Sequence, residues 1–491
     1  MIEVIEVPTG PSLDDYATSM HLTDAVAELR SATESITPLF EGRTVWLVNS
    51  TARGGGVAEM LPRQMGIMEE LGVRTRWAVM GTDRHELFHL TKRLHNLLHG
   101  MGEPCISDED RNLYEEVSRE LQADFEPMVG PEDILLIHDP QPAGLGALVK
   151  ESLGIPAVWR CHIGLDDDVP ATRAGWSLLE PYVSRYDRVI FSAEEYVPPF
   201  LSDRSGLVRP ALDPFSDKNQ YLTPQEIIDV LGRAGLAISP HPLLSPPFSR
   251  QVERLQPDGS FKPATTPDDL RILHRPMIMQ ISRWDRLKGW APLMKGFELF
   301  KGELLRDVSP QDRRAIEQTG LLLVGPEPAA VQDDPEAVEV LDELCHQYRT
   351  LPPEVRKDVA LLSLPMEDQE ENARIVNALQ SSVTVVVQNS VREGFGLTAT
   401  EPMWKGTPVL VSNACGLRQQ IRPGTDGDMI QDPQDPVQVA RALGRAVCEP
   451  DRRATMARSA QRRVREEFLV FTQVAQELQI LAQTLRAPLA R

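Results

Sequence analysis

The sequence predicts an α/β fold made of two doubly wound, Rossmann-like domains. The chain has 491 residues, too long for one ordinary hydrophobic core and suited to two domains of about 200 to 250 residues. Short apolar runs alternate with longer amphipathic stretches in two successive series, and a stretch rich in Pro and Ser separates the series. Near-continuous apolar strands that alternate with helices are typical of parallel sheets buried on both faces. Two such series therefore indicate two sheets, each covered by its own helices.

The first series predicts an N-terminal domain over residues 1–215. The run VAEMLPRQMGIMEELG predicts a helix between its first two strands, although it contains Pro62. The predicted strands are RTVWLVNS (43–50), RTRWAVM (74–80), DILLIHD (133–139), PAVWRCH (156–162) and DRVIFS (187–192).

The second series predicts a C-terminal domain over residues 276–467, followed by an amphipathic helix over 468–491 that joins the N-terminal domain. Residues 216–275 are predicted to be a linker with a Pro-rich insertion, because 236–267 lack apolar periodicity. A spacer is the favoured role of this insertion, and a lid or an oligomer contact is the alternative. The predicted strands are PMIMQIS (276–282), GLLLVGP (320–326), VALLSL (359–364), VTVVVQ (383–388) and TPVLVS (407–412).

Charge and composition favour a cytoplasmic protein that binds neither nucleic acid nor a membrane. The formal net charge of -21 opposes binding to nucleic acid. The five cysteines are scattered without C-x-x-C spacing, as expected for reduced thiols. The N-terminus lacks the apolar run of a signal peptide, and no stretch of the sequence is apolar over the length that spans a membrane.

A glycine-rich turn follows the first predicted strand in NSTARGGGVAEML, residues 49–61. Glycines let the backbone approach a ligand closely, and a helix N-terminus offers unpaired N–H groups to an anion or a polar oxygen. The pattern is neither G-x-G-x-x-G nor a P-loop. It therefore predicts a binding loop or, equally well, a tight strand–helix turn.

Two cations follow the first strand of the second series in ISRWDRLKGW, residues 281–290. Arginine offers a planar fork and lysine a point charge, so Arg283 and Lys288 together can hold a diphosphate. A solvated charge run is the commoner fate of such residues. Their place at the carboxyl end of a first strand favours the binding role.

Two polar residues follow neighbouring strands of the first series. His162, in WRCHIG, comes directly after an apolar strand, where a lone histidine is more often a satisfied near-core residue than a catalyst. Asp139, in HDPQPAG, has the same place at the preceding strand end. Its carboxylate is suited either to accept hydrogen bonds from sugar hydroxyls or to cap a turn.

The segment SVREGFGLTATEPMW, residues 390–404, lies where a strand passes into a helix, and open α/β sheets bind ligands there. Glu393 is predicted in the loop and Glu401 in the first turns of the helix, since Pro402 is tolerated only where the N–H lacks an intrahelical partner. The two carboxylates are expected to hold different hydroxyl groups of one extended ligand. The backbone N–H groups expected to face an anion are those of Gly394, Phe395, Gly396 and Leu397.

One segment formally matches a zinc motif. HELFH, residues 85–89, places His85, Glu86 and His89 in the order H-E-x-x-H. A zinc protease needs a third ligand on a following helix and a dry cleft. An amphipathic helix is the favoured interpretation, and no metal site is predicted.

Together these segments resemble glycosyltransferase family 4, whose retaining enzymes have the GT-B fold, in which two Rossmann-like domains face a cleft. The resemblance covers about residues 43–485, apart from the Pro-rich insertion. REGFGLTATEPMWKGTPVL looks like the family's E-x7-E motif, and SRWDRLKG looks like its diphosphate-binding segment. NSTARGGGVAEML, HELFHLTKRLHN, HDPQPA and WRCHI are most similar to the trehalose glycosyltransferring synthases of the family.

The resemblance implies a role for each candidate residue. His162 would bond the hydroxymethyl group of the transferred sugar, and Arg283 and Lys288 would neutralise the leaving diphosphate. Glu393 would bind the 3-hydroxyl of the sugar, and these four residues are the expected catalytic set. Glu401 would bind the nucleotide ribose. The residues expected beside the donor or acceptor sugar are Gly55, Gly56 and Asp139.

The implied reaction transfers glucose from a uridine, adenosine or guanosine diphosphate glucose to free glucose and yields α,α-trehalose, with the reverse reaction also open. A retaining trehalose phosphorylase is one alternative, and a family 4 glucosyltransferase with another small acceptor is a second. No cofactor is expected to be obligatory, although Mg²⁺ is a suitable counter-ion for the diphosphate. The expected assembly is a homo-oligomer, in the simplest case a dimer.

Overall fold

The structure, a computed structural model, describes residues 1–52, 56–238, 245–264, 270–302, 308–328 and 336–486. It divides into two compact units. Unit 1 comprises Met1–Asp213 and Glu466–Arg491, and unit 2 comprises Pro214–Arg465. The chain therefore passes from unit 1 into unit 2 and returns to unit 1 for its last helix.

Unit 1 alternates strands and helices along the chain. Its elements before unit 2 are β1 (Ile2–Ile5), α1 (Leu13–Ser19), α2 (Thr23–Thr33), β2 (Val45–Asn49), α3 (Gly56–Glu70), β3 (Thr75–Met80), α4 (His85–Leu98), α5 (Asp108–Phe125), β4 (Ile134–His138), α6 (Ala143–Leu153), β5 (Ala157–Cys161), α7 (Pro170–Val183), β6 (Arg188–Phe191) and β7 (Ser205–Leu207).

The sheet of unit 1 has the strand order β1-β3-β2-β4-β5-β6-β7. β1 pairs with β3 in antiparallel orientation, and the other neighbouring strands are parallel. The strands predicted from the first apolar series are all present, as β2 to β6. Because β3 and β4 lie on opposite sides of β2, the winding direction reverses between β2 and β4, which makes the carboxyl ends of these two strands the topological switch point.

Unit 2 repeats the alternation, and the chain then ends in a helix of unit 1. The elements from here on are α8 (Pro224–Arg233), β8 (Glu253–Leu255), β9 (Phe261–Pro263), β10 (Met277–Ile281), α9 (Trp290–Gly302), α10 (Pro310–Gln318), β11 (Gly320–Pro326), α11 (Glu336–Thr350), α12 (Pro353–Arg356), β12 (Val359–Leu364), α13 (Gln369–Ser382), β13 (Val385–Gln388), α14 (Leu397–Trp404), β14 (Val409–Ser412), α15 (Cys415–Arg418), β15 (Asp428–Ile430), α16 (Pro436–Cys448), α17 (Pro450–Glu467) and, in unit 1, α18 (Val470–Arg486).

The sheet of unit 2 has the order β15-β14-β13-β10-β11-β12-β8-β9. β10 to β15 are mutually parallel, in the order typical of dinucleotide-binding domains. The strands predicted from the second series correspond to β10 to β14. The winding direction reverses between β10 and β13, so ligand binding is expected at the carboxyl ends of these two strands.

Both faces of this sheet are covered, which explains why its strands read as unbroken apolar runs. Along β11, Leu321 and Leu323 pack into one buried cluster with α9, α11 and α16. Leu322 and Val324 pack into a second cluster with α8 and α13. Each fully buried side chain of this size contributes about 1.5–3 kcal/mol relative to exposure.

The range predicted as a linker, 216–275, contains more regular structure than its composition indicates. Thr223 caps α8, since its hydroxyl accepts from Glu226 N at 3.3 Å and its N–H donates to Glu226 Oε2 at 2.7 Å. Pro224 occupies the first turn of this helix, where a proline is tolerated. β8 and β9 form a hairpin whose first strand pairs with β12 and protects that edge of the sheet. Prolines here mark helix and hairpin boundaries, so within the described residues much of the range belongs to unit 2.

α18 is the amphipathic helix predicted at the C-terminus. It packs against α2 and α3 of unit 1, with Val474 and Leu478 fully buried. Among the described residues, no helix combines the length and the apolar character needed to cross a membrane.

Candidate functional site

The carboxyl ends of β10 and β13 bring together two of the predicted site residues of unit 2. Lys288 lies in a short 3-10 turn after β10, and Glu393 lies in the loop after β13. Lys288 Nζ donates to Glu393 Oε2 at 2.6 Å, although the residues are 105 positions apart in the sequence. The side chains are only 14% and 12% exposed, so the ion pair is largely shielded from water. Ser390 Oγ also donates to Glu393 Oε2, at 3.0 Å, and helps to fix the carboxylate.

The backbone beneath this ion pair is fixed by Gln280, a residue that the sequence analysis missed. Its Nε2 donates to Lys288 O at 2.7 Å, and its Oε1 accepts from Asn389 N at 2.8 Å. Gln280 is fully buried in β10 and therefore ties the two loops of the switch point to one strand. The available signal was a single amide inside the apolar run PMIMQIS, since a buried amide needs hydrogen-bond partners.

Gly289 allows these loops to approach each other closely. Its φ is +64°, and a Cβ at this position would lie 2.0 Å from Asn389 O. The side-chain amide of Asn389 in turn donates to Gly289 O at 3.1 Å. A side chain at residue 289 would therefore push the loop after β13 away from Lys288.

Arg283 follows β10 as predicted, but its guanidinium is exposed and, among the described residues, makes no ion pair. Its carbonyl accepts from Trp290 Nε1 at 3.2 Å, so the backbone is anchored while the side chain is not. The structure places Arg283 at the same strand end as Lys288 without joining it to the Lys288–Glu393 pair.

The loop that leads into α14 is held in place by hydrogen bonds that its carbonyl groups accept. Gln420, which is fully buried, donates from Nε2 to Phe395 O, and to Gly396 O at 3.1 Å. Gly416 N donates to Glu393 O at 3.1 Å. Gly396 has φ +86° and is the residue before the helix, so the first N–H groups of α14, starting with that of Leu397, lack intrahelical acceptors. Such a helix start suits an anion.

The loop leaves no room for a side chain at Gly416, which packs against it. A Cβ on Gly416 would lie 2.6 Å from Glu393 O and equally close to the carbonyl carbon of Gly394. Gln420 was also missed by the sequence analysis, because nothing in its neighbourhood in the sequence indicates the loop that it holds. The E-x7-E segment is therefore shaped by residues that follow it in the chain.

Glu401 lies apart from Glu393, in the second turn of α14. Its predicted place in the first turns is confirmed, but Pro402 lies inside the helix, beyond the N–H groups that lack intrahelical partners. It is 5% exposed, and its Oε2 accepts from Gln380 Nε2 at 2.8 Å. Gln380 Oε1 accepts in turn from Lys405 Nζ at 2.6 Å. Burial lowers the pKa of Lys405 to about 7, against the opposing effect of the Glu401 carboxylate.

The switch point of unit 1 carries the remaining predicted residues. Gly55 lies outside the described residues, and Gly56 is the exposed first residue of α3. Asp139 follows β4 with φ +67°, a conformation that aspartate adopts more readily than most residues. Its Oδ1 accepts from His162 N at 2.9 Å, so the structure brings Asp139 and His162 together. Burial raises the pKa of the Asp139 carboxyl to about 6.

His138, the last residue of β4, stacks on His162. The two rings are inclined by 10°, and His138 Nδ1 lies 3.2 Å from His162 Nε2. His138 Nε2 is buried and has no hydrogen-bond partner among the described residues. An unpaired buried N–H costs about 1–3 kcal/mol, whereas an unpaired acceptor is tolerated better. The favoured tautomer therefore has the proton of His138 on Nδ1, donated to His162 Nε2, which leaves His162 with an Nδ1–H donor.

Burial, together with a buried cation beside these rings, keeps both of them uncharged. Arg160, in β5, is 1% exposed and pairs with the fully buried Glu477 of α18. Burial and the charge of Arg160 hold the pKa of both His138 and His162 well below its usual range. Gln64 of α3 donates to the same carboxylate, so α18 is tied by polar contacts to β5 and α3. This network was not predicted.

The zinc motif forms the amphipathic helix α4. Its leucines at positions 87, 90, 94 and 97 are buried, and His85 and His89 are exposed. Within the described part of the chain, no group of three or more His, Cys, Asp or Glu side chains is arranged to hold a metal ion. Nothing in α4 therefore supports the zinc-protease reading.

Two family models match the chain. Residues 47–198 match the N-terminal domain of trehalose synthase, and residues 368–463 match the glycosyl transferases group 1. The first range contains the His138–His162 pair, and the second contains Glu393 and Glu401. The switch point of unit 1 thus lies within the first matched range, and the β13 side of the switch point of unit 2 lies within the second.

Similar proteins are found over the full length of the chain. A trehalose synthase of Pyrococcus horikoshii is 31% identical over 98% of this chain and 99% of its own length. A trehalose phosphorylase of Pleurotus sajor-caju is 26% identical over 77% of this chain and 50% of its own length. The crystal structure of a UDP-forming α,α-trehalose-phosphate synthase from Burkholderia xenovorans, in complex with glucose-6-phosphate, superposes with a TM-score of 0.63 at 15% identity, covering 90% of this chain and 100% of that one. The last likeness establishes the two-domain GT-B fold.

Proposed function

Because the chain belongs to the trehalose synthase family of glycosyltransferases, we propose that it is a retaining glucosyltransferase that makes α,α-trehalose from a nucleoside-diphosphate glucose and glucose, in a reversible reaction. The observation that carries the proposal is the shielded Lys288–Glu393 pair at the switch point of unit 2. A cation fixed there, next to the N-terminus of α14, suits a diphosphate that gains charge as its sugar departs.

In this mechanism the chain stabilises the leaving group and supplies no nucleophile of its own. The bond between the anomeric carbon and the phosphate oxygen breaks through an oxocarbenium-like transition state. Lys288 and Arg283 neutralise the charge that develops on the diphosphate, together with the N–H groups at the start of α14. The glucose hydroxyl forms the new bond on the same face, and its proton passes to the departing phosphate oxygen. Configuration at the anomeric carbon is therefore retained.

Glu393 has two tasks in this proposal. It holds Lys288 by the 2.6 Å ion pair, and its carboxylate is assigned to a sugar hydroxyl, the predicted 3-hydroxyl. Glu401 is assigned to the nucleotide ribose. No cofactor is obligatory, and Mg²⁺ serves at most as a counter-ion of the diphosphate.

His162 acts as a neutral hydrogen-bond donor to the hydroxymethyl group of the transferred sugar. Its Nδ1–H is the group that the pairing with His138 leaves available. Asp139 fixes the backbone of His162 and is assigned to the vicinity of the acceptor. His138 is then a positioning residue, which sets the tautomer of His162 without touching the substrate.

The test of the proposed function is a matrix of donors and acceptors. Uridine, adenosine and guanosine diphosphate glucose are each incubated with glucose, a glucose phosphate or glycerate, with and without inorganic phosphate and with and without EDTA. We expect α,α-trehalose, identified by NMR, from at least one donor with glucose and without inorganic phosphate. If a donor gives product only with a different acceptor, that acceptor replaces glucose in the proposal.

A retaining trehalose phosphorylase is the second candidate, and the similarity to the fungal trehalose phosphorylase favours its inclusion. Inorganic phosphate would then take the place of the diphosphate beside Lys288. In a parallel incubation of trehalose with inorganic phosphate, release of glucose 1-phosphate without any nucleotide, and no trehalose from any donor in the matrix, would establish this activity and overturn the synthase.

The proposed tautomer of His162 leads to a separate prediction. Replacing His138 with leucine is expected to lower kcat/KM about tenfold, the effect of losing one neutral hydrogen bond of about 1.4 kcal/mol. His138→Asn, whose side-chain amide can donate from nearly the same position as Nδ1, should recover much of the loss. ¹⁵N NMR of labelled histidine reports the tautomer directly.

The control for this series is His346→Leu, which changes an exposed histidine of α11. Equal losses in His138→Asn and His138→Leu would assign His138 a packing role only. A loss confined to the leucine variant, together with an Nδ1–H signal for His162 in the parent protein, would support the positioning role.

A further inference from the structure

A groove lies in unit 2 at the end of the sheet opposite to the Lys288–Glu393 pair. One wall is formed by residues 384, 405, 406 and 408, which precede β13 and β14, so the groove is at the amino ends of these strands. Its volume is about 580 Å³, within the range of pockets that hold small molecules. It is therefore separate from the switch point where the diphosphate is proposed to bind.

The other wall is one face of α17. The residues that line it follow the spacing of a single helical stripe and are Pro450, Arg453, Ala454, Ala457, Arg458 and Gln461. The small alanines leave the space open between the longer polar side chains. The lining of the groove thus combines small alanines with cationic side chains.

Three cations line this groove: Lys405, Arg453 and Arg458. Among the described residues none of the three makes an ion pair with a carboxylate, although the chain has 72 acidic and 51 basic residues. A groove with three cations that make no such ion pair is electrostatically suited to an anion.

The hydrogen bonds of these cations leave much of their donor capacity unused. Arg453 Nη1 donates to the carbonyls of Ala446 and Val447 at 2.6 and 3.1 Å, and Arg458 Nη2 donates to Thr455 Oγ1 at 3.3 Å. Lys405 Nζ donates to the neutral amide of Gln380. A guanidinium carries five N–H donors and an ammonium three, so all three residues keep donors for a ligand.

We propose that this groove binds a phosphate group, either as free inorganic phosphate or as the phosphate of a small monoester. Tetrahedral phosphate oxygens accept charge-assisted hydrogen bonds from arginine forks and a lysine point charge. The groove is larger than one phosphate, and the space beside Ala454 and Ala457 can take the carbon body of a monoester. The burial that lowers the pKa of Lys405 would be offset by a bound dianion, which favours the charged ammonium.

Calorimetric titration with inorganic phosphate and with a hexose phosphate tests the proposal. The full chain carrying Lys288→Ala is the parent, because this change weakens the main competing phosphate site. We expect a dissociation constant of about 1 mM or below for at least one of the two ligands. Arg458→Gln in this parent should weaken binding about tenfold or more, through loss of charge-assisted hydrogen bonds.

The matched control is Arg462→Gln, an exposed arginine of the same helix that does not line the groove. Unchanged affinity in Arg462→Gln and weakened affinity in Arg458→Gln would support the site. Tighter binding of the hexose phosphate would identify a monoester as the ligand, and equal binding would identify free phosphate. Equal affinity in both variants, or binding of neither ligand to the parent, would overturn the proposal whether or not the enzyme makes trehalose.

Discussion

Replacing Lys288 with alanine is expected to lower kcat by about 100- to 1,000-fold, the usual effect of removing one preorganised electrostatic contact to a developing charge. Lys288 is shielded from water, and Glu393 and Gln280 fix its side chain and its backbone. The ammonium therefore needs no rearrangement when the diphosphate departs. Because the stabilised charge is largest in the transition state, the loss should appear mainly in kcat and less in KM for the donor.

The measurement is steady-state kinetics with the donor that the substrate matrix identifies. Lys295→Ala is the matched control, because Lys295 lies on α9, the helix that follows the turn of Lys288, but pairs with Glu298 at the surface. Its kcat should stay within about twofold of the parent, since exposed ion pairs contribute 1 kcal/mol or less. Turnover that survives Lys288→Ala at the parent rate would remove Lys288 from the mechanism.

Replacing Glu477 with leucine is expected to destabilise unit 1 by about 3–5 kcal/mol, because it leaves Arg160 charged, buried and unpaired. Gln64 loses the same acceptor. For a domain of about 150–250 residues, a loss of this size corresponds to a decrease in Tm of roughly 6–20 °C. Differential scanning calorimetry of the full chain measures the shift.

Two further variants separate the buried charge from general disruption of α18. Arg160→Met combined with Glu477→Leu removes both charges and should recover most of the lost Tm, since a buried ion pair can often be replaced by apolar residues at little cost. Glu467→Leu, which breaks the partly exposed pair with Arg209, should change stability by about 1 kcal/mol or less. A double variant as unstable as Glu477→Leu alone would show that packing, and not the unpaired cation, causes the effect.

The Arg160–Glu477 ion pair also affects the candidate site of unit 1. Arg160 adds to the effect of burial in holding the pKa of both His138 and His162 well below its usual range, and Arg160 itself pairs with Glu477. The C-terminal helix therefore contributes to the electrostatics at the switch point of unit 1, although none of its residues was a candidate in the sequence.

The sequence by itself determined the two-domain α/β fold and the strands that form the two central sheets. Apolar runs buried on both faces have a local signature, so β2 to β6 and β10 to β14 could be predicted from composition and length alone. The positions of Lys288, Glu393 and Glu401 relative to their strands also followed from the sequence, because strand ends and helix starts are local features.

Only the tertiary structure decided which of these residues meet. Strand order placed β13 beside β10 and so joined Lys288 to Glu393 across 105 positions, while Arg283 stayed outside the pair. It also placed Gln280 under both loops and Glu477 beside Arg160. Periodicity and capping depend on neighbours within a few residues, whereas a buried polar group finds its partner through the packing of whole elements, so no local pattern could have specified these contacts.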